Sequence, residues 1–198
     1  MPDDDGVLRE TERLTLRRFT MADVDRLVEL DADPEVMRFL TGGEATPAAT
    51  IRDDVLPRLL AQYGRHPGLG RWAALDRLSG EFLGWLALDP SDDGVEAELG
   101  YRLHRAVWGH GLATEGARAL VRHAFDTVGV RRVWAQTMAV NDRSRAVMAR
   151  AGLRYTRTFH LVFDDPIPGT EHGEVEYELL AQDWPAIRQE WDAALRAR

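Results

Sequence analysis

Between positions 95 and 128 a strand, a glycine turn and a long amphipathic helix follow one another without interruption. No other stretch restricts the fold as tightly. Ala97, Leu99, Tyr101 and Leu103 alternate with Glu96, Glu98, Gly100 and Arg102, so the two sets point to opposite faces of a strand. Further on, Ala117, Leu120, Val121, Ala124, Phe125 and Val128 recur at helical spacing and form one apolar stripe. Gly129 stands near the end of that helix, where its conformational freedom is useful. The connection reads Trp108-Gly109-His110-Gly111-Leu112-Ala113-Thr114-Glu115. The first turn of a helix carries N–H groups without partners and the positive end of the helix dipole, and glycines let a ligand approach the backbone. The segment therefore predicts an anion site that needs no lysine, with a pyrophosphate as its natural guest. The plainer reading is a turn that only joins strand to helix.

The rest of the chain supplies the partners for this unit. Leu14, Leu16 and Phe19 alternate with polar residues as in a half-buried strand, and Thr20 with Asp23 resembles a capping box opening a helix to about Asp31. Residues 33–70 have no clear period, although 50–63 look helical and 64–70 read as loop. Residues 71–76 and 81–89 read as a hairpin turning at Leu78-Ser79-Gly80. A β-branched strand covers 130–140. Asn141 is suited to cap the next helix, and Gly152 with Leu153 to end it. Strands at 155–163 and 175–180 and a terminal helix over 184–198 complete the reading. Residues 1–10 read as a flexible leader and 11–198 as a single α/β domain around a mixed sheet.

Composition removes several chemistries. All 25 basic residues are arginine and there is no cysteine, so Schiff bases, Walker A lysines, disulfides and thiolate nucleophiles are excluded. The net charge of -8 argues against non-specific binding to nucleic acid or anionic lipid. The acidic start Met-Pro-Asp-Asp-Asp lacks a signal-peptide core, and no apolar run is long enough to cross a membrane, so a cytoplasmic location is expected. The histidines (His66, His104, His110, His123, His160 and His172) show no metal-ligand spacing, and no metal is expected.

Taken together, Thr11-Glu12-Arg13-Leu14-Thr15-Leu16-Arg17, Ala97-Glu98-Leu99-Gly100-Tyr101, the glycine segment, Asn141-Asp142-Arg143-Ser144 and Ala151-Gly152-Leu153 resemble the GNAT superfamily of acetyl-CoA-dependent N-acetyltransferases. The nearest branch is the RimJ/RimL type, which acetylates N-termini of ribosomal proteins. The resemblance spans roughly residues 10–185. It implies a mostly antiparallel mixed sheet of about seven strands, splayed in the middle and flanked by helices. It also implies acetyl-CoA as cosubstrate, an amine acceptor and a homodimer, which is common among relatives. The family loop has the form Gln/Arg-x-x-Gly-x-Gly/Ala. Gly111 and Ala113 match its last two fixed positions, while Trp108 stands where Gln or Arg is expected. The resemblance then implies that backbone N–H groups of Gly109, His110, Gly111, Leu112, Ala113 and Thr114 hold the pyrophosphate. Pantetheine would lie along Tyr101, Arg102 and Leu103.

Individual residues carry two readings each. Glu98 is either a general base for the acceptor ammonium or a carboxylate solvated or paired with an arginine such as Arg102. A base is needed because an α-amine has a pKa of about 8 and a lysine amine about 10.4, and only neutral amine attacks. Asn141 is a helix cap, and by resemblance a pantetheine contact. Ser144 is a capping hydroxyl or the group that protonates the departing thiolate, with Tyr155 as the rival acid. The segment 164–178 holds six acidic residues and no lysine or arginine; it either lines the acceptor entrance or forms an edge strand with solvent-facing carboxylates. Acetyl transfer should be direct, through a ternary complex, to a peptide N-terminus or a small amine. A catalytically silent acyl-CoA-binding module is the alternative.

Overall fold

The computed structural model describes residues 6–196. Eight strands form one sheet in the order β1-β2-β3-β4-β5-β6-β8-β7. These are β1 (Val7–Glu10), β2 (Leu14–Arg18), β3 (Gly70–Asp76), β4 (Phe82–Pro90), β5 (Glu96–Leu103), β6 (Arg132–Met138), β7 (Arg154–Phe159) and β8 (Glu174–Leu180). Every neighbouring pair is antiparallel except β5 with β6. The helices are α1 (Val24–Asp31), α2 (Pro34–Thr41), α3 (Ala48–Thr50) running through a π turn into α4 (Leu56–Arg65), α5 (Leu112–His123), α6 (Asp142–Arg150) and α7 (Trp184–Arg196).

Both faces of the sheet are covered. On one, Leu14, Leu16, Trp72, Leu86 and Leu88 are buried under α5. Gly116 makes this close approach possible, because a Cβ there would come within 2.5 Å of Leu86 Cδ2. On the other face α1 packs on β4 and α4 on β3. The capping box at Thr20 is present: its N–H donates to the Asp23 carboxylate at 2.9 Å. Gly152 adopts a left-handed conformation and closes α6, with the Leu153 N–H donating to the Met148 carbonyl.

Two expectations are corrected, and one stretch without a clear period proves helical. Val7–Glu10, assigned to a flexible leader, is an edge strand paired with β2; its mixed sequence gives no alternation, and main-chain pairing, the packing of Leu8 on the core and an Arg77–Glu10 ion pair secure it. Positions 1–5 of that leader lie outside the described residues. Pro34–Thr41 is a helix with Asp33 as its cap, a start obscured by the unperiodic sequence around it. The acidic strand β8 lies inside the sheet between β6 and β7, so it is not an edge. Its Glu176 is buried because Arg132 and Arg157 neutralise it.

Candidate active site

The parallel pair β5–β6 is in register only at Glu96↔Arg132, Ala97↔Val133 and Glu98↔Trp134. Beyond that point β5 continues to Leu103 and β6 to Met138 without pairing, which opens a wedge in the centre of the sheet. The glycine segment sits at the mouth of this wedge. Gly109 and Gly111 have φ of +80° and +79°, a region that side chains disfavour, and the second of them caps α5. The first N–H taken up by the helix is that of Glu115, which donates to the Gly111 carbonyl at 3.0 Å. The N–H groups of Leu112, Ala113 and Thr114 therefore lie in the unsatisfied first turn.

This loop is held from a distance. Arg13 donates to the Glu115 carboxylate through Nε at 2.7 Å and through its main-chain N–H at 2.8 Å. Its Nη1 reaches the His110 carbonyl at 2.9 Å, and Thr11 Oγ1 donates to the same Glu115 at 2.6 Å. One arginine on the β1–β2 turn thus ties the loop carbonyl and the first turn of α5 together. These ionic hydrogen bonds hold Glu115 below the usual carboxylate range against the opposing effect of burial. Neither Arg13 nor Glu115 was singled out from the sequence for a role at the loop. The strand-like Thr11-Glu12-Arg13 motif was the available signal, but its partner lies about a hundred residues away.

Across the wedge, the Tyr101 hydroxyl donates to the Ser144 carbonyl at 2.9 Å and lies 2.9 Å from Ser144 Oγ. Burial pushes the Tyr101 phenol well above its ordinary pKa, so it stays protonated. Asn141 caps α6 by accepting from the Ser144 N–H at 3.2 Å, and its Nδ2 donates to Thr137. An amide nitrogen has a second proton, so a further acceptor can still be served. Trp108 donates to the Leu103 carbonyl at 2.8 Å, and the Arg143 guanidinium lies 5.2 Å from its ring centroid. A cation from α6 is thus stacked on the residue that takes the place of a loop Gln or Arg.

Glu98 points to the opposite face of β5 from Tyr101. It lines a cleft of about 350 Å³ with Asp89, Glu96, Arg132, Trp134 and Glu176. Burial pushes its carboxyl up to about 7, with Asp89 adding to the shift and Arg71 opposing it. A carboxyl in that range exchanges protons near neutral pH, as a general base must.

The remaining expected residues are placed as follows. The Arg102 side chain pairs with Asp31 and stacks on Trp85 at 5.2 Å, so only its main chain is left for pantetheine. Leu103 and Leu112 are buried, and His110 is exposed. Tyr155 is 52% exposed; its hydroxyl is 2.9 Å from Thr158 Oγ1 and its ring packs edge-on against Tyr177. The hydroxyl that meets Ser144 is that of Tyr101, which the sequence reading had placed among the cofactor contacts. Among the described residues, no group of three or more His, Asp or Glu could hold a metal, and no helix is long and apolar enough to cross a membrane.

A strand splayed from its parallel neighbour, with a glycine-led helix N-terminus at the opening, defines an acyl-CoA-dependent transferase. Residues 13–154 match the family model described as "Acetyltransferase (GNAT) domain", and the chain belongs to that family. FsC-acetyl coenzyme A-N(2)-transacetylase of Aspergillus fumigatus is 37% identical over 191 residues, covering 92% of this chain and 76% of that protein. "Putative ribosomal N-acetyltransferase YdaF" of Bacillus subtilis is 28% identical over 178 residues, 87% of this chain and 94% of that one. RimL, the ribosomal L7/L12 alpha-N-protein acetyltransferase solved in complex with coenzyme A, superposes with a TM-score of 0.75 at 18% identity. That match covers 88% of this chain and 97% of RimL and shows the shared fold. The protein is an acetyl-CoA-dependent N-acetyltransferase.

Proposed function

We propose that this is a cytoplasmic enzyme that moves an acetyl group from acetyl-CoA directly to a primary amine within a ternary complex. The observation that carries the reading is the placement of two proton-handling groups on opposite faces of β5. Glu98 opens onto the cleft on one side, and the Tyr101–Ser144 pair lies on the other, beside the anion loop. A thioester seated in the wedge would have its carbonyl between them. The amine nitrogen forms its bond to that carbonyl carbon as the carbon–sulfur bond breaks. Ionised Glu98 takes the ammonium proton before attack, the attacking nitrogen sheds its second proton to water in the cleft, and the Ser144 hydroxyl gives its proton to the departing sulfur and regains one from solvent. For Ser144 to donate to sulfur, its proton must be released from the phenol oxygen, and the Tyr101 phenol is placed to turn its own proton to Ser144 Oγ and so free it.

The first turn of α5 would take the pyrophosphate on the N–H groups of Leu112, Ala113 and Thr114. With no cysteine in the chain, an acetyl-thioester enzyme has no attachment point. The 37% identity to a transacetylase named for the N(2) position of FsC supports a small-molecule amine as acceptor. The likeness to YdaF supports a second reading, a protein N-terminus. A panel of small amines and N-terminal peptides, assayed for acetyl-CoA-dependent thiol release, tests both. Amine-dependent release with formation of an N-acetyl product is expected. Thiol release that no amine accelerates would overturn the proposal.

A further inference from the structure

The cleft at Glu98 continues into a second one. A neighbouring cavity of about 560 Å³ lies between α4 and the β4–β5 turn, and Asp89, Pro90 and Ser91 line both. The two form a single groove, and the sign of its charge reverses along its length. At the Glu98 end, Asp89, Glu96, Glu98 and Glu176 face Arg132 and Arg157. At the far end, Arg58, Arg65, Arg71 and His66 face Asp89 and Asp92. Several of these charges are already engaged. Arg71 holds Asp89 in a two-nitrogen contact, with Nη2 at 2.8 Å, and Arg58 pairs with Asp54 on its own helix. Arg65 differs: its described contact is from Nε to the Ala61 carbonyl at 3.4 Å, and no carboxylate within the described residues pairs with it. It projects from the last turn of α4 beside half-buried His66, at the end of the groove remote from Glu98.

We infer that the acceptor is amphoteric: its amine lies at the Glu98 end and its carboxylate lies toward Arg65 and Arg58. This rests on the N-acetyltransferase reading above and refines which amines that site takes. An acceptor that carries only positive charge meets the right field at Glu98 and the wrong one at α4. An acceptor that carries both charges matches the groove at each end and is also held in one direction. The direction matters for chemistry, since it presents the amine and not the acidic end to the thioester.

The test uses acceptor pairs that differ by one carboxylate: ornithine against putrescine, and alanyl-glutamate amide against alanyl-glutamine amide. kcat/KM is measured for each with saturating acetyl-CoA. At low salt the acidic member of a pair is expected to be favoured about fivefold, the scale of exposed ion pairs, and the ratio should shrink as salt is added. In the exposed double variant Arg58→Gln/Arg65→Gln the ratio should fall to about 1. A wild-type ratio of 1 or below, or a ratio the double variant leaves intact, overturns the amphoteric acceptor while amine-dependent turnover stands. Absence of thiol release with every amine overturns the acetyltransferase reading itself, and this inference with it.

Discussion

Tyr101 and Ser144 meet across the wedge, with the phenol oxygen 2.9 Å from both the Ser144 Oγ and the Ser144 carbonyl. A tyrosine has one proton, so it can donate to only one of these oxygens at a time. When it donates to the carbonyl, the serine proton is directed at the phenol oxygen. When it donates to Oγ, the serine proton is released toward the thiolate. Ser144→Ala should therefore lower kcat by about 10–100-fold, at or below the lower end for a general acid, because a thiolate is already a fair leaving group. Tyr101→Phe should lower kcat by less, and the double variant should be no slower than Ser144→Ala alone. Additive losses would mean that the two hydroxyls act independently.

The carboxyl of Glu98, pushed up to about 7, fixes two pH dependences. The proposed general base acts in its ionised form, so kcat/KM should rise with pH through an ionisation near 7, below the limb that belongs to the amine. Glu98→Gln should lose the lower limb and keep the upper one. Stability runs the other way. Between the ordinary carboxylate value and 7 the folded protein binds more protons than the unfolded chain, so rising pH through that window destabilises it. Thermal melts at pH 8 should show Glu98→Gln more stable than the wild type by a few degrees, with the difference vanishing near pH 4.

Loop geometry should be read in coenzyme A affinity. Gly111 has room for a methyl group, its nearest neighbour being Arg13 Nη2 at 3.7 Å, but its φ of +79° does not suit one. Gly111→Ala costs about 1–2 kcal/mol of strain or a changed loop, and calorimetry should show coenzyme A binding about tenfold weaker or worse. Arg13→Gln removes the tie to the His110 carbonyl and should weaken binding by about three- to tenfold, less than a buried pair would, because Arg13 is 45% exposed. Unchanged affinity in both folded variants would detach this loop from the cofactor.

Asp23 is a purely structural test. Burial would raise its pKa, but hydrogen bonds from Arg17, the Thr20 N–H and Arg26 outweigh it and hold the carboxyl well below its usual range. Its stabilisation is present at neutral pH and lost as acid protonates it. Asp23→Asn leaves Arg17 and Arg26 without their counter-charge and should cost about 2–3 kcal/mol, seen as a melting point lower by about 5–10 °C.

Local patterns carried a large part of this architecture. The alternation around Glu98 and Tyr101 located β5 and its two faces, and the stripe from Ala117 to Val128 located α5. Asn141 and Gly152 bounded α6 through ordinary capping chemistry. What was not legible depended on distant partners. The Arg13–Glu115 tie links residues 102 positions apart, and no period announces it. Tyr101 reads as a strand residue until the fold brings α6 to it. Tyr155 looked like an acid because it follows α6, yet a place one strand further out gives it Thr158 and Tyr177 as neighbours. The charge of β8 suggested an exposed edge because sequence does not show the arginines of β6 and β7 waiting opposite Glu176.

Direct acetyl transfer from acetyl-CoA to an amine is open to initial-rate kinetics with both substrates varied. Double-reciprocal lines should intersect, an N-acetyl product should form in step with coenzyme A, and no acetylated protein should accumulate in the absence of acceptor. Parallel lines together with an isolable acetyl-enzyme that passes its acetyl group to the amine would contradict it.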